Sequence, residues 1–515
     1  MGASLISRGV VDVRPSNAVT TNASVHAMPV TSPGDELQNN LINGNRGEDG
    51  DYKKMSSIGE ARTVFFVESA KMWRIAAPVA FNILCVYGIN SFTQIFIGHI
   101  GEVELSAVSI SLSVISNFSF GFLLGMGSAL ETLCGQAFGA GQVYMLGIYM
   151  QRSWIILIAT CIIICPIYIF STPVLKLLGQ EKEIAELAGR FTIQIIPQMF
   201  SLAINFPTQK FLQAQSKVSA LAWIGFLALL LHVLFLWLFI SVFGWGTGGA
   251  ALAYDISGWV VALSQVVYVV WFCKDGWSGL SIMAFKEIWA FVRLSLASAI
   301  MLCLEIWYMM VLVVLTGHLG NAIIAIGSIS ICMNINGWEA MLFIGINAAV
   351  SVRVSNELGS GHPRAAKYSV IIIVIQSLFI GIFFMAVILI SRDHFAVIFT
   401  NSKDLQKAVA HLAYLLGVTM VLNSVQPVIS GVAVGGGWQA LVAYINLACY
   451  YAFGLPLGFL LGYKLKWGVE GIWAGMLCGT ALQTLILLIV LWKTNWQKEA
   501  ALAVDRVRIW GGIEQ

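Results

Sequence analysis

Long apolar segments divide the chain, and short polar stretches separate them. About 20 consecutive apolar residues are enough for a helix to cross a bilayer, and twelve such segments can be counted. Helices are expected, because an open sheet edge would leave backbone groups unpaired in lipid. The pattern predicts an all-α polytopic membrane protein. Its spans cover approximately residues 73–97, 105–130, 144–171, 184–204, 218–243, 249–273, 293–316, 322–350, 367–391, 408–432, 438–462 and 470–492.

Composition agrees with a membrane protein and argues against several other classes. Of the 515 residues, 58% are hydrophobic and 11% are charged, whereas a soluble domain carries about 25% charged residues. The net charge of +3 gives no reason to expect a nucleic-acid partner. The nine cysteines form no CxxC pair, so we expect buried thiols and neither a disulfide framework nor a zinc site.

Short motifs return at a nearly constant spacing. Gly98-His99-Ile100-Gly101 returns 219 residues later as Gly317-His318-Leu319-Gly320. Three further features return after 220 residues, namely Gly125 as Gly345, the turn at 139–141 as 359–361, and Pro207 as Pro427. The spacing predicts a duplicated bundle, with an N-lobe at 62–285 (spans 1–6) and a C-lobe at 286–498 (spans 7–12). Duplicated bundles of this kind are typical of transporters with a central site between two lobes.

Both termini are expected on the cytosolic side. Twelve spans place them on the same side, and the basic residues of the loops are nearly balanced. Basic residues before the first span and after the last one favour the cytosol for both ends; they are Lys53, Lys54, Lys71, Arg74, Lys493, Lys498, Arg506 and Arg508. Residues 1–61, rich in Ser, Asn, Gly and Asp, are expected to be a disordered tail, and 499–515 a cytosolic C-terminal tail.

Three acids lie deep in the predicted spans. Glu305 is in the middle of span seven, Glu339 in the middle of span eight, and Asp255 in the outer half of span six. A charge at the membrane centre costs about 2.5–3.5 kcal/mol, and the second half has no lysine or arginine at that depth. A carboxyl group without a basic partner can exchange protons near neutral pH. We expect proton coupling at these acids; the structural alternative is a protonated acid hydrogen-bonded to a neighbouring helix.

Polar and aromatic residues surround these acids and predict a substrate pocket. The candidates are Asn336, Trp338, Asn423, Gln426, Trp307 and Tyr308. Amides can bind substrate hydroxyls but also join helices, and aromatic residues can stack on a flat ligand or simply pack. Pro207 and Pro427 are candidate hinges because they occupy matching positions, although a proline can equally make a static kink.

Three stretches resemble signatures of plant multidrug and toxic compound extrusion (MATE) transporters. They are Gly125–Gln142 (GMGSALETLCGQAFGAGQ), Ser351–Gly361 (SVRVSNELGSG) and Gln426–Ala433 (QPVISGVA), which continues into Gly437-Trp438-Gln439. The match covers about residues 65–495. The residues of these motifs are similar to those of the detoxification-carrier branch, which includes vacuolar flavonoid transporters.

The resemblance implies a V-shaped pair of six-helix lobes and antiport coupled to H⁺ or Na⁺. It places an acid on span seven, which matches Glu305. Many relatives carry an aspartate on span ten, where this chain has Asn423, and Glu339 could substitute for it. The lost negative charge favours neutral or anionic substrates over cations. The expected function is proton-coupled export of flavonoid-type plant metabolites from the cytosol. We expect the protein in the vacuolar membrane, and the plasma membrane is the second choice.

Other functions are weighed against this one. No GxxxxGK[ST] sequence is present, so a proton gradient and no cofactor is expected to drive transport. A passive conductance for chloride or organic acids on the same fold is the main alternative. A lipid-linked precursor flippase would need more deep lysine and arginine. An enzyme is disfavoured, since no nucleophile–base or metal set is visible. One chain contains both lobes, so we expect a monomer whose partners are a small-molecule substrate, protons and the lipid bilayer.

Overall fold

The chain folds into long helices that coincide with the twelve predicted spans. The structure, a computed structural model, describes residues 50–286, 288–316, 322–399 and 402–510. Within these ranges eleven helices are long and apolar enough to cross a membrane, and one bent pair makes a twelfth span. In chain order the helices are α1 (Ile58–Gly98), α2 (Val103–Gly139), α3 (Val143–Ile169), α4 (Lys182–Gln194 and Ile196–Ala214), α5 (Val218–Val242), α6 (Gly246–Phe272), α7 (Ile288–Thr316), α8 (Ala322–Gly359), α9 (Pro363–Ser391), α10 (Lys403–Gly436), α11 (Gln439–Lys464), α12 (Gly468–Lys493) and α13 (Trp496–Trp510). The predicted fold class is confirmed.

The start of the bundle is more ordered than the sequence indicates, and the boundary at its other end lies elsewhere. Of the expected disordered tail at 1–61, residues 1–49 lie outside the described residues. The rest is folded, since Asp51 and Tyr52 are buried and α1 already begins at Ile58. At the other end α13 begins at Trp496, so the expected boundary after residue 498 falls inside a helix. One face of α13 is buried against α8.

The repeated Gly-x-Gly motifs end two helices in the same way. After α2 and α8 the chain turns through Gly141 (φ +76°) and Gly361 (φ +75°), a left-handed conformation that favours glycine. The next N–H in each case bonds back into the helix, Gln142 to the Ala137 carbonyl and His362 to the Glu357 carbonyl, both at 2.8 Å. This is the usual glycine-ended helix terminus.

The repeated glycines inside the spans lie where the two lobes meet. A Cβ atom added to Gly125 of α2 would lie 2.5 Å from the Cα of Ala299 in α7. One added to Gly345 of α8 would lie 2.8 Å from the Cα of Ala80 in α1. These two contacts are related by the duplication, because α2 and α8, and likewise α1 and α7, are equivalent helices. The backbones touch directly, and only glycine allows this.

The lobes are joined at the face where α1 begins and where α2, α8 and α10 end, which we call the terminal face. Gln136 Nε2 donates to the Gly435 carbonyl at 3.3 Å, and Asn356 Nδ2 donates to the Ala214 carbonyl at 3.1 Å. Both bonds cross between lobes, and the duplication relates one to the other. The terminal face is therefore closed by a symmetric set of contacts.

The segment between the lobes is attached to the N-lobe. Gln151 of α3 donates to the Gly279 carbonyl at 3.0 Å and accepts from the Ser281 N–H at 2.9 Å. Arg152 donates to the Met283 carbonyl at 3.2 Å. These bonds fix the segment along α3 up to a few residues before α7 begins.

Candidate functional site

The deep acid of α7 lies beside a polar group of α10. Glu305 is half-buried, and the side chain of Gln426 is close enough to its carboxyl group to interact with it. Gln426 is itself buried and donates to the Ser430 hydroxyl at 3.2 Å. Tyr450 of α11 is close enough to interact electrostatically with Glu305. It lies in a π-helical stretch, Leu447–Gly454, a feature that is frequent at functional sites.

A second acid lies on α8, one turn from an amide pair. Glu339 is only 4% exposed, and neither of its carboxyl oxygens has a hydrogen-bond partner among the described residues. Asn336, three residues earlier on the same side of α8, accepts a hydrogen bond from Asn423 of α10 at 3.0 Å. Asn423 and Gln426 are three residues apart on α10. The C-lobe therefore brings both glutamates and all three predicted amides close to one face of α10.

Pro427 interrupts the backbone hydrogen bonding of α10 at this position. A proline has no N–H to donate to the carbonyl four residues earlier, which here belongs to Asn423. The Pro427 carbonyl accepts from Asn347 of α8 at 2.6 Å. In the N-lobe the matching Pro207 is buried inside α4. Both prolines lie within continuous helix, and their role as hinges stays a prediction.

The three predicted aromatic residues fall in two different environments. Trp307 is 40% exposed and stacks on Phe118 of α2 at 6.0 Å, while Trp338 is 53% exposed and meets Tyr87 of α1 edge-on at 5.3 Å. Both pairs cross between the lobes. Tyr308 instead is fully buried in the C-lobe core, where it stacks on Tyr450 at 4.3 Å. Its hydroxyl donates to the Met476 carbonyl at 2.8 Å, so both its ring and its hydroxyl are engaged in packing.

A cavity of about 610 Å³ lies between α1 and α8 on the side away from the terminal face. Its lining combines apolar side chains with neutral polar ones and one histidine, and Asp, Glu, Lys and Arg are absent from the described residues that form it. The lining residues are Tyr87, Asn90, Ser91, Gln94, Ile95, Gly98, His99, Leu105 and Asn334. Tyr87, which contacts Trp338, connects the aromatic pair to this cavity.

Asp255 lies in the N-lobe, apart from the C-lobe glutamates. Its carboxylate accepts the Gln198 backbone N–H at 3.0 Å, close to the point where α4 bends by 47°. Pro197 explains the bend, since it cannot donate to the carbonyl of the preceding turn. Asp255 thus satisfies an N–H at the start of the second half of α4, as a helix-capping residue does.

Two buried ionic groups escaped the sequence analysis. In the N-lobe, Lys210 of α4 and Glu131 of α2 form an ion pair at 2.6 Å, with side chains 10% and 3% exposed. At the terminal face, Glu68 of α1 pairs with Arg353 of α8 at 2.9 Å. Glu131 could have been identified as a buried acid from its position alone, because it is the 29th residue of an apolar segment that begins at Val103. The partners are far apart in the sequence, so no local motif marks either pair.

Known proteins resemble this chain in both of its lobes. The family described as MatE matches residues 78–238 and 297–460, one stretch in each lobe. Protein DETOXIFICATION 34 of Arabidopsis thaliana is 65% identical over 508 residues, covering 99% of this chain and 94% of the relative. Protein DETOXIFICATION 35 of the same plant is 71% identical over 464 residues, covering 90% and 95%.

Solved structures match over most of the chain. The crystal structure of the eukaryotic MATE transporter AtDTX14 has a TM-score of 0.82 and 32% identity, covering 86% of this chain and 100% of that one. The D35N mutant of VcmN, a MATE transporter of Vibrio cholerae, has a TM-score of 0.76 at 16% identity, covering 85% and 100%. The second likeness concerns the fold alone.

Proposed function

Because the chain belongs to the MatE family, whose members are membrane transporters and not enzymes, we propose that it is a proton-coupled antiporter of flavonoid-type plant metabolites. As a member of this family, the chain is a multi-pass secondary transporter of organic compounds. We propose in addition that the coupled ion is H⁺, that the substrate is of the flavonoid type and that the protein lies in the vacuolar membrane.

The environment of Glu339 carries the proposal of proton coupling. Its two carboxyl oxygens are buried without a partner. Burying an ionised carboxylate in that state would cost several kcal/mol. This cost favours the neutral form, and we propose that Glu339 holds a proton in this conformation. Glu305 has a neutral polar neighbour in Gln426 and is the group that we propose binds and releases the coupled proton.

The amide side chains of α10 link the proposed proton site on α7 to α8. Asn423 and Gln426 both belong to α10, which contacts α8 through Asn336 and lies beside Glu305 of α7. A change in the charge of Glu305 alters its interaction with Gln426, and α10 can respond at Pro427. We propose that this response moves α7 against α10 and releases the substrate to the acidic compartment.

The cavity between α1 and α8 supports a neutral, hydroxyl-rich substrate. Amide and hydroxyl side chains such as Asn90, Ser91 and Gln94 can each hydrogen-bond to sugar hydroxyls. Tyr87 and Trp338 offer an exposed aromatic pair beside them for a flat ring system. A flavonoid glycoside combines these two chemical parts, whereas a cationic drug would find no carboxylate among the described lining residues.

Uptake into vesicles tests the proposal directly. Membrane vesicles that contain the wild-type chain receive an inward-acidic pH gradient, and uptake of a flavonoid glucoside and of chloride is followed. We expect glucoside uptake that requires the gradient and is lost in Glu305→Gln. The matched control is Asp393→Asn, which neutralises an exposed acid (side chain 65% exposed) in the turn after α9.

The same assay separates the alternatives. Full gradient-driven uptake in Glu305→Gln would contradict the role of Glu305. Chloride flux that persists without a pH gradient, together with no glucoside uptake, would instead indicate a passive anion conductance. Against that alternative, the buried cations Lys210 and Arg353 are each paired with a carboxylate.

A further inference from the structure

The segment Asp51–Ser57, directly before α1, is attached to the opposite lobe, and we name it the strap. The Asp51 carboxylate accepts the backbone N–H groups of Arg364 and Ala365, both at 2.9 Å. Those groups belong to the first turn of α9, where backbone donors have no partner inside the helix. A residue continuous with an N-lobe helix therefore caps a helix of the C-lobe.

Tyr52 extends the same attachment. It is only 2% exposed, its backbone carbonyl accepts from the Arg364 guanidinium at 2.9 Å, and its ring lies 6.1 Å from that of Tyr368 in α9. Its hydroxyl donates to Glu68 of α1 at 2.7 Å. Tyr52 thus lies between α1 and α9 and contacts both.

A chain of ionic side chains continues from Glu68 across the lobe boundary, and we name it the clasp. Arg353 of α8 bonds to both carboxyl oxygens of Glu68 at 2.9–3.2 Å. Lys71 contacts Glu68 at 2.8 Å, Glu357 contacts Arg353 at 2.5 Å, and His362 contacts Glu357 at 2.9 Å. Fork-shaped arginine–carboxylate contacts of this kind are strong and geometrically specific.

The clasp breaks the symmetry of the lobe interface. The positions 220 residues before Arg353 and Glu357 are Leu133 and Ala137, which carry no charge. The symmetric contacts made by Gln136 and Asn356 already join the lobes at this face. Strap and clasp are therefore additions to an interface that the duplication alone provides.

We propose that the strap and the clasp form a gate at the terminal face, and that both release each time this face opens to admit substrate. Their contacts run between α1 on one side and α8 and α9 on the other, so the lobes cannot separate there without breaking them. Charged groups suit a reversible gate, because Glu68 and Arg353 regain hydration when they part. The inference rests on alternate opening of the two faces, but not on the identity of substrate or ion.

Distance measurements between the lobes test the gate. Spin labels on Tyr144→Cys of α3 and Lys367→Cys of α9, both exposed, report the separation by pulsed electron resonance in lipid nanodiscs. The background replaces exposed Cys478 and half-buried Cys165 with serine. We expect one dominant short distance in the wild type. Asp51→Asn keeps the size of the side chain but weakens the cap, and should raise the ratio of long to short distances about tenfold.

Matched variants distinguish a specific effect on the gate from a general loss of folded structure. Asp404→Asn makes the same change in the first turn of α10, away from the strap, and should leave the distances unchanged. Deleting residues 2–49 keeps the strap and should behave as the wild type, whereas deleting residues 2–56 leaves only Ser57, the N-cap of α1, and should open the face. Glu68→Arg should open the face, because it places a third basic side chain against Lys71 and Arg353.

The gate is overturned if Asp51→Asn and the longer deletion, both monodisperse in detergent, give the same distances as Asp404→Asn and the shorter deletion. The readout needs neither substrate nor a proton gradient. A failure of proton-driven flavonoid uptake would therefore leave the gate standing, and a failure of the gate would leave the uptake experiment intact.

Discussion

Gly345 offers the sharpest test of the backbone contact between the lobes. In Gly345→Ala the new Cβ would lie 2.6 Å from the Cβ and 2.8 Å from the Cα of Ala80. Carbon atoms in contact prefer about 3.5–4.0 Å, so α8 and α1 must separate by about 1 Å. Such overpacking costs about 1–3 kcal/mol, while alanine improves the helix by about 1 kcal/mol. The sum predicts a net loss of up to about 2 kcal/mol.

Gly337 provides the control on the same helix. A Cβ added there meets nothing within 4 Å, so Gly337→Ala should keep the helix gain and stabilise the protein by about 1 kcal/mol. The two variants should thus differ by about 1–3 kcal/mol. Thermal unfolding in detergent, followed by tryptophan fluorescence, should rank Gly337→Ala above the wild type and Gly345→Ala below it.

The duplication adds a second requirement. Gly125→Ala places a Cβ 2.5 Å from the Cα of Ala299 and should destabilise the protein at least as much as Gly345→Ala. Equal melting temperatures for Gly345→Ala and Gly337→Ala would refute the reasoning, because the crossing of α1 and α8 could then open without cost.

Three further predictions concern polar side chains. Lys210→Met leaves Glu131 charged and unpaired, which should cost about 3–5 kcal/mol in thermal unfolding; combining it with Glu131→Gln should recover most of the loss. Asp255→Ala removes the acceptor for the Gln198 N–H and should lower the free energy of unfolding by about 1 kcal/mol. Asp255→Asn keeps an acceptor and should lower it less. Loss of proton-driven uptake in both variants would instead indicate that Asp255 takes part in proton coupling. Asn423→Asp adds a negative charge and should increase uptake of organic cations relative to flavonoid glucosides in a competition assay, and an unchanged ratio would contradict the electrostatic argument.

The helices could be predicted from the sequence because length and apolarity are enough to define a span. The fixed spacing of Gly125 and Gly345 was also informative, and the structure gives the reason: both glycines lie where backbones of the two lobes touch. A longer side chain at either position would separate the lobes. The repeated pattern is therefore imposed by contact geometry.

Side-chain direction was much harder to predict. On an apolar span, the faces toward lipid, core and cavity have similar composition, so Trp307 and Tyr308 looked equivalent, although one is exposed and the other packed in the core. Asp255, like Glu339, is an acid inside a predicted span, but its bond to the Gln198 N–H depends on the bend in a different helix. Contacts between distant segments decide these cases, and a linear pattern does not contain them.

The attachment of the connecting segment to α3 has a mechanical consequence for α7. The chain is fastened as far as Met283, so it passes to the C-lobe only at the base of α7, which begins at Ile288. Glu305 lies about 26 Å along that helix at 1.5 Å per residue. A tilt of roughly 10° about the base would displace Glu305 by about 4–5 Å. Helix α7 can thus act as a lever that converts a small rotation between lobes into a large displacement of the acid.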